Sequence, residues 1–305
     1  MNKHTTTLVE TKNIKLATKT VLSTVESREI ALISGKAGMG KTTFRNILMR
    51  RLEEEGHVVV FYLPFKETGT QTNSILTEIY SKLFPEQEIP HKKQKKLLEI
   101  SKVVHGNSVI LVIENTQNLD IQTVKEIKEF REFLDYQLSI IFFMKNDTKL
   151  LNLFSGTEIG QRTRKFTFKQ MSNAETIKIA TEVYGVRFED EVVERRFITS
   201  CTGNPLTIKY YCSQIKEHEE FNGIATLGIV SEIDVQFIKL LLEEYNISIR
   251  DVQGRFKQEG KEVSVGFISN TVNGSTEIDS QSKGGVTTAD ITRKIRQMAE
   301  EKRKN

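Results

Sequence analysis

The sequence predicts an α/β protein with a parallel five-stranded sheet, and three observations support this fold class. Five short runs rich in Val, Ile, Leu and Phe alternate with segments of helical spacing between residues 29 and 168. The third run, residues 109–113 (VILVI), is apolar throughout, as in a strand whose sheet is covered by helices on both faces. A glycine-rich turn joins the first run directly to a helix. Strands that alternate with helices in this way form parallel sheets.

The spacing of apolar residues predicts the elements of this sheet in order. Residues 12–27 are typical of an amphipathic helix leading into a first strand at residues 29–34. After the glycine turn, residues 43–52 carry Phe44, Ile47, Leu48 and Leu52 at helical spacing. The remaining elements are strands at residues 57–63, 109–113, 139–144 and 164–168, and helices at residues 72–84, 92–105 and 120–135.

The chain changes character after the predicted sheet. Residues 172–218 indicate three helices without strands, and residues 234–273 indicate three more short helices. Residues 274–286 are polar and rich in Gly and Ser, and a final helix begins at Thr287 or Thr288 and runs to about Arg303. The predicted divisions are an α/β domain (1–170), a helical subdomain (171–220), a small helical unit (221–273), a linker (274–286) and a basic C-terminal helix (287–305).

The composition of the 305-residue chain is that of a globular protein, with 38% hydrophobic and 28% charged residues. No apolar run approaches the roughly 20 residues that a membrane helix needs, and residues 1–19 lack the apolar stretch of a secretory signal. The two cysteines, Cys201 and Cys212, suggest neither a disulfide framework nor a metal cluster. We therefore expect buried thiols, a cytoplasmic location and no membrane partner.

The glycine-rich turn is the part of the sequence that most directly indicates a chemical function. Residues 35–42 (GKAGMGKT) fit the pattern G-x-x-x-x-G-K-[ST] between a predicted strand and a predicted helix. Backbone N–H groups of such a loop surround a phosphate, at a helix N-terminus that favours anions. The predicted nucleotide-binding residues are Gly35, Lys36, Ala37, Gly38, Met39, Gly40, Lys41, Thr42 and Thr43.

Two residues of this loop have predicted chemical roles toward ATP and Mg²⁺. Lys41 would reach the β- and γ-phosphates, and the Thr42 hydroxyl would ligate Mg²⁺. A chance glycine turn before a core helix is the alternative interpretation. The correct strand and helix on both sides favour the phosphate site, so the sequence predicts that the chain binds a nucleoside triphosphate.

The end of the third strand carries a resemblance to a known family. Residues 112–119 (VIENTQNL) and the sequence Gly203-Asn204-Pro205 resemble motifs of AAA+ ATPases, with similar lengths between them. The similarity extends over roughly residues 12–220 and concerns the ExeA-like, transposition target-selection and origin-recognition-like members. It implies a P-loop AAA+ fold with a helical lid and ATPase activity. It also implies that Glu114 holds the Mg²⁺ shell, with Asn115 in place of the glutamate that polarises the attacking water.

Asn115 departs from the pattern of that family. An amide can orient a water molecule but cannot accept its proton, so we expect slow hydrolysis of ATP unless another carboxylate serves as the base. The alternative is that Glu114 is itself the base.

The resemblance implies further site residues near the ends of the fourth and fifth strands. Asn146 matches a polar residue that contacts the γ-phosphate, although a simple turn residue would also fit there. Arg162, or Arg164 beside it, matches the region of an arginine finger that acts on a neighbouring protomer; ordinary surface arginines are the alternative. Leu206 stands where many relatives carry an arginine, and Lys209, one turn later, is the candidate substitute.

Two stretches bear on nucleic-acid binding. Residues 91–96 (HKKQKK) and Lys66 follow the second strand, where the resemblance to transposition ATPases implies contacts to the phosphates of duplex DNA. A solvated helix start is the alternative for the basic cluster. Residues 263–274 (VSVGFISNTVNG), after a helix at residues 250–257, look like the recognition helix of a helix-turn-helix, with a turn longer than usual. An ordinary amphipathic helix of a small bundle would show the same alternation.

The C-terminal segment holds the net charge of the chain. Residues 283–305 carry +4, so the remaining residues sum to zero. Ile291, Ile295 and Met298 form a narrow apolar stripe on the final helix. Because the preceding linker is polar, we expect this helix to stay unpacked until it binds a partner such as a transposase or nucleic acid. A solvated helix is the alternative.

These observations lead to one functional hypothesis and two alternatives. The hypothesis is an ATP-dependent, DNA-binding AAA+ ATPase of transposition or target selection, which assembles as a ring or filament on duplex DNA. The first alternative is a regulatory NTPase switch that binds only protein partners. The second is a secretion-associated ATPase of the ExeA type.

Overall fold

The structure is a computed structural model that describes residues 9–65, 71–146, 163–275, 280–282 and 284–303. The chain divides into two compact units. The sheet unit comprises residues 10–172 and 204–206, and the helical unit comprises residues 1–9, 173–203 and 207–305. Lys66 and Arg162, predicted to contact DNA and a neighbouring protomer, lie outside the described residues.

The sheet unit contains one parallel sheet of five strands in the order β2-β3-β4-β1-β5. Its strands are β1 (Ile30–Gly35), β2 (Val58–Tyr62), β3 (Val109–Ile113), β4 (Leu138–Phe143) and β5 (Thr163–Phe168). Its helices are α1 (Lys12–Glu26), α2 (Lys41–Glu54), α3 (Thr72–Leu83), α4 (Lys93–Val104) and α5 (Ile121–Phe133). All five predicted strands are confirmed, with ends within one residue or two of the predicted ones.

Helices cover both faces of the sheet, and β3 shows why its sequence is apolar throughout. Leu111 belongs to a core with Ile79 of α3 and Phe130 of α5. Its neighbour Ile110 points to the opposite face and belongs to a second core with Phe44 of α2. Since successive side chains of a strand alternate between faces, a strand between two helical layers needs apolar residues at every position.

The strand order brings three strand ends together at one edge of the sheet. β4 lies between β1 and β3, and all three strands are parallel. The turns that follow them, at residues 36–40, 114–120 and 144–146, therefore leave the sheet side by side. Ligand sites of open parallel sheets lie at this carboxyl edge, beside the point where the strand order changes.

The helical unit is built from seven helices in the described ranges and one small strand pair. The helices are α6 (Asn173–Glu182), α7 (Glu191–Cys201), α8 (Pro205–Glu217), α9 (Leu227–Glu244), α10 (Ile249–Gln258), α11 (Val265–Val272) and α12 (Thr288–Lys302). The strands β6 (Arg187–Phe188) and β7 (Ile224–Ala225) pair in parallel. The expectation that residues 172–218 contain no strand is therefore wrong. A strand of two residues is too short to show the alternation of apolar and polar residues by which strands are predicted.

The C-terminal helix α12 is packed into the helical unit. Ile291 and Ile295 are fully buried and Met298 is 7% exposed, in one core with Val252 and Phe256 of α10. The expectation that this helix stays unpacked is wrong. A polar linker does not prevent packing, because α9, α10 and α11 supply the apolar surface that a narrow stripe needs.

Polar contacts also fix α12. Its first turn has a capping box in which the Thr287 hydroxyl accepts from the N–H of Asp290 and the Asp290 carboxylate accepts from the N–H of Thr287. Arg296 reaches the buried carboxylate of Asp234 on α9, at 3.4 Å. One of the positive charges of this helix is therefore paired with a carboxylate inside the helical unit.

Candidate functional site

The glycine turn after β1 forms a loop that favours glycine at two positions. Gly38 and Gly40 have φ values of 79° and 84°, a region that favours glycine. A Cβ on Gly38 would lie 2.7 Å from Oδ1 of Asn204, so any side chain there would collide. Gly40 is the N-cap of α2, whose first residues are Lys41 and Thr42. The predicted strand, loop and helix are therefore present in the order that a phosphate site requires.

The ammonium group of Lys41 lies inside this loop. Its Nζ donates to the carbonyl oxygens of Gly35, at 2.6 Å, and Lys36, at 2.7 Å. Burial, followed by repulsion from Lys145, lowers the pKa of Lys41 to about 8. Two cations therefore approach the same loop, Lys41 from α2 and Lys145 from the end of β4, which favours an anion between them.

Thr42 and Glu114 meet across the sheet edge, although 72 positions separate them in sequence. The Thr42 hydroxyl donates to Oε1 of Glu114 at 2.9 Å. Glu114 follows the last residue of β3, and its backbone N–H donates to the carbonyl oxygen of Tyr62 at the end of β2. The two residues predicted to hold Mg²⁺ are thus neighbours at the mouth of the loop.

The oxygen atoms at this position fit a magnesium ion. Mg²⁺ prefers oxygen ligands, retains several water molecules and takes one or two protein ligands plus substrate phosphates. Thr42 and Glu114 offer a hydroxyl and a carboxylate beside the phosphate loop. Among the residues that the structure describes, no group of three His, Cys, Asp or Glu side chains could hold a metal ion by itself. A metal at this edge would need the nucleotide to complete its ligands.

The turn after β3 is fixed by its polar side chains. The Thr116 hydroxyl donates to the carbonyl oxygen of Phe143 at 3.1 Å, which ties the turn to the end of β4. Gln117 accepts from the N–H of Lys145 at 3.3 Å, and Asn118 donates to the carbonyl oxygen of Pro64 at 3.1 Å. These bonds hold the turn rigidly against both neighbouring strand ends.

Asn115 has a backbone conformation that suits asparagine. Its φ is 51°, a left-handed conformation in which asparagine is enriched over most other residues. The Oδ1 atom accepts from Nε2 of Gln117 at 3.4 Å. The side-chain oxygen therefore accepts one hydrogen bond within the turn, and its second lone pair and the amide nitrogen can contact a ligand.

Asn146 and Lys145 follow β4, and both side chains are exposed. Asn146 lies at the predicted edge of the sheet, and no contact of its side chain to the loop is present among the described hydrogen bonds. Lys145 is the residue whose charge acts on Lys41. The resemblance implied Asn146 as the polar residue at this strand end, and nothing in the sequence pattern indicated a role for its neighbour Lys145.

Arg45 is the second residue that sequence analysis missed. It lies on α2 one turn after Lys41, and its guanidinium forms an ion pair with Oε2 of Glu114. The same guanidinium lies over the ring of Phe61, 4.7 Å from its centroid. An arginine in the second turn of a helix is typical of a solvated surface, so only the position of Glu114 reveals this contact.

Three other residues implied by the resemblance lie on β5 and α8. Arg164 donates to Glu29 at 2.7 Å and also contacts the Ser23 hydroxyl, so within this chain it stabilises α1 against the sheet edge. Leu206 is 52% exposed, and its N–H donates to the carbonyl oxygen of Gly38 at 3.3 Å. Lys209 lies on α8 in the helical unit.

The basic cluster at residues 91–96 is only partly available to a nucleic acid. Lys96 is 3% exposed and donates to Asn73 at 2.9 Å and to Thr77 at 2.6 Å. Lys93 forms an ion pair with Glu126. The expectation that this cluster faces phosphates is wrong for Lys96, which joins α3 to α4. All six residues of the cluster are polar, so the sequence did not indicate which lysine points inward.

In the helical unit, α10 and α11 are the two predicted helices of the helix-turn-helix. Val252 and Phe256 of α10 and Ile268 of α11 are buried in one core. Asn270 and Asn273 are exposed on the opposite side of α11. Six residues separate the two helices, more than the usual three or four. An amphipathic helix with a polar outer face is confirmed, and its ligand stays a prediction.

Comparisons with known proteins agree with this geometry. Residues 24–153, less than half of the chain, match the family described as AAA domain. No curated protein matches the chain in sequence. The matched range contains the glycine loop, β3 and β4, which are the parts that form the candidate site.

Two solved structures show the fold over nearly the whole chain. The Walker-type ATPase of Pyrococcus abyssi is 13% identical, with 92% of this chain and 95% of that chain covered and a TM-score of 0.53. Cdc6p of Pyrobaculum aerophilum is 11% identical, with 96% of each chain covered and a TM-score of 0.53. The chain has the α/β P-loop AAA+ fold that the sequence predicts.

None of the helices in the described ranges has both the length and the apolar character that crossing a membrane requires.

Proposed function

We propose that the protein is an ATPase that binds Mg²⁺–ATP at the carboxyl edge of its sheet. The observation that carries this proposal is the 2.9 Å hydrogen bond from Thr42 to Glu114, because it joins a phosphate loop to an acidic strand end. In P-loop nucleotide enzymes, phosphoryl transfer depends mainly on positioning and on positive charge around the phosphates. The residues present supply both.

Each site residue has a proposed role. The loop from Gly35 to Thr43 surrounds the phosphates with backbone N–H groups, and Lys41 adds a charge toward the β- and γ-phosphates. Thr42 and Glu114 hold the magnesium ion, which neutralises charge that develops on the phosphates. Asn146, beside Lys145, faces the γ-phosphate, and Arg162 serves a neighbouring protomer.

Hydrolysis is proposed to be slow because of Asn115. Its oxygen accepts a hydrogen bond from Gln117, and an amide cannot remove a proton from water. The fixed turn therefore positions a water molecule without activating it, unless Glu114 or a partner supplies the base.

The experiment that tests this function measures binding and turnover on the full chain. Lys41→Ala should abolish binding of a labelled ATP analogue, because the charge toward the phosphates is lost. The substitution also removes the two hydrogen bonds to Gly35 and Lys36, so the melting temperature of the variant is the control for folding. Asn115→Glu should raise turnover, by up to the 10²–10⁴-fold that a well-placed base contributes. Equal ATP affinity of Lys41→Ala and the parent would contradict the nucleotide site. Unchanged turnover in Asn115→Glu, with binding intact, would point to Glu114 as the base.

A second part of the proposal is a role on duplex DNA in transposition or target selection, in the cytoplasm. ATP binding would assemble protomers as a ring or filament, and a transposase or similar protein would be recruited. The sequence resemblance supports this part, and so do the exposed polar face of α11 and the exposed Arg250, Lys257 and Lys261 near it.

Filter binding of duplex DNA with and without ATP separates this role from the alternatives. Asn270→Glu places a carboxylate on the proposed DNA face and should weaken binding, whereas Gln297→Glu adds the same charge on the solvent-exposed side of α12 and should have little effect. Equal effects of the two substitutions would contradict the helix-turn-helix. Absence of DNA binding under either condition would favour a regulatory switch with protein partners or an ExeA-type secretion ATPase.

A further inference from the structure

The carboxylate of Glu114 is already paired on both oxygens by residues of α2. Its Oε1 accepts from Thr42 at 2.9 Å, and its Oε2 forms the ion pair with Arg45. The side chains of Arg45 and Glu114 are only 13% and 17% exposed, so solvent screens this pair less than a surface pair. Any cation that Glu114 ligates must share the carboxylate with a guanidinium.

Three further contacts fix the guanidinium of Arg45 in this place. Its Nε and Nη2 donate to Oδ1 of Asn46, at 3.2 Å and 2.6 Å. Its plane lies over the Phe61 ring, 4.7 Å from the centroid, where the negative face of the ring attracts a cation. Arg45 is also three residues after Thr42 and four after Lys41, which places all three on one side of the helix. The guanidinium is therefore a fixed part of the site.

We infer that Arg45 is an internal counter-ion that competes with magnesium for Glu114 and sets the magnesium requirement of nucleotide binding. This inference rests on the proposed ATP site. Without magnesium, Arg45 neutralises the carboxylate that would otherwise repel the triphosphate. A magnesium ion held by Glu114 would share the carboxylate with the same positive charge, which would oppose its binding. The residue thus favours metal-free ATP and disfavours the metal.

This dual action predicts two effects of opposite sign. In Arg45→Met, an unpartnered Glu114 should repel ATP, so ATP affinity in EDTA should fall by about fivefold or more. The magnesium concentration for half-maximal stimulation of ATP binding should fall by about tenfold, because two unit charges about 4 Å apart interact by several times RT at an effective dielectric constant of about 20. Damage to the fold would weaken both forms of binding together.

The experiment titrates magnesium against binding of a fluorescent ATP analogue to the full chain, with EDTA as the metal-free point. Arg51→Met is the matched control, since Arg51 lies on the same helix and pairs with Glu55 at 2.8 Å away from the site. Arg51→Met should leave both quantities unchanged. Arg45→Lys keeps one charge but loses the planar fork, so it should give values between the parent and Arg45→Met.

The possible results separate this inference from the function on which it rests. Opposite shifts in Arg45→Met, with the control unchanged, support the counter-ion. If both affinities fall together, or neither changes, while the parent binds ATP, the inference is wrong and the ATP site stands. If the parent binds no ATP at any magnesium concentration, both are wrong. If Arg45→Met does not fold, Arg45→Lys decides by the direction of its magnesium shift.

Discussion

Among the carboxylates that pair with arginine, Glu114 of the sheet unit and Asp234 of the helical unit differ in how much freedom they keep. In the sheet unit, Glu114 is 17% exposed and is paired with Arg45 at the edge of the phosphate loop. In the helical unit, Asp234 is 2% exposed and pairs with Arg196 at 2.6 Å and Arg296 at 3.4 Å. The Tyr211 hydroxyl also donates to Asp234, at 2.5 Å.

The difference in burial indicates which of the two carboxylates is available to bind a ligand. Asp234 is enclosed by three side chains from three other helices. If it released one of its arginine partners to bind a ligand, that arginine would be left as a buried charge without a counter-charge. Glu114 lies at a strand end and keeps access to the loop, so it can exchange an arginine for a metal. The buried pair stabilises the arrangement of α7, α8, α9 and α12, whereas the partly buried pair is available for binding.

Removal of α12 is expected to have the largest effect on stability. Truncation after Asn273 removes the buried Ile291, Ile295 and Met298, and each buried side chain of this size contributes about 1.5–3 kcal/mol. The truncated helical unit should lose its cooperative transition in urea, followed by circular dichroism. Truncation after Arg303 is the control and should melt like the full chain. A cooperative transition at the parental midpoint after the long truncation would mean that α12 is separable after all.

Loss of the buried carboxylate should have the next largest effect. Asp234→Ala leaves Arg196 and Arg296 facing each other without a counter-charge, which should lower the free energy of unfolding by about 3–5 kcal/mol. Glu232→Ala on the same helix removes a carboxylate that is 59% exposed, and it should cost less than about 1 kcal/mol. Urea denaturation of both variants checks this, and similar losses would contradict the structural role of Asp234.

Loss of the partly buried carboxylate should change stability least. Glu114→Gln should alter the free energy of unfolding by about 1–2 kcal/mol, because the amide oxygen still accepts from Thr42 or Arg45 although the charge is lost. Glu126→Gln is matched to it, since Glu126 is 15% exposed and pairs with Lys93. Only Glu114→Gln should remove the magnesium dependence of ATP binding. Loss of that dependence in both variants would argue against a specific metal role.

Most of the sheet unit was predictable because its signals are local. The apolar runs gave all five strands, and residues 35–42 gave the loop, since the pattern and its neighbours lie within one stretch of chain. The turn at Glu114 and Asn115 was located by motif. Its bonds to the ends of β2 and β4 could not be derived, because they depend on the strand order.

The errors arose where a side chain has partners far away in sequence. Lys96 looked like one of several solvated lysines, yet it donates to Asn73 and Thr77 on another helix. Arg45 looked like a surface residue, and its partner is 69 positions away. The sequence shows that such a residue is charged, but only the tertiary structure shows which side chain it contacts.

The sequence by itself determined the α/β class, the phosphate loop and the helical character of the chain after the sheet. Each depends on signals within a short stretch of chain, which are the spacing of apolar residues and the backbone conformations that glycine permits. The tertiary structure decided that α12 is part of a core and that Arg45 faces Glu114. Both outcomes depend on which surfaces distant segments present to each other, and burial of apolar area and pairing of charge are properties of those surfaces together.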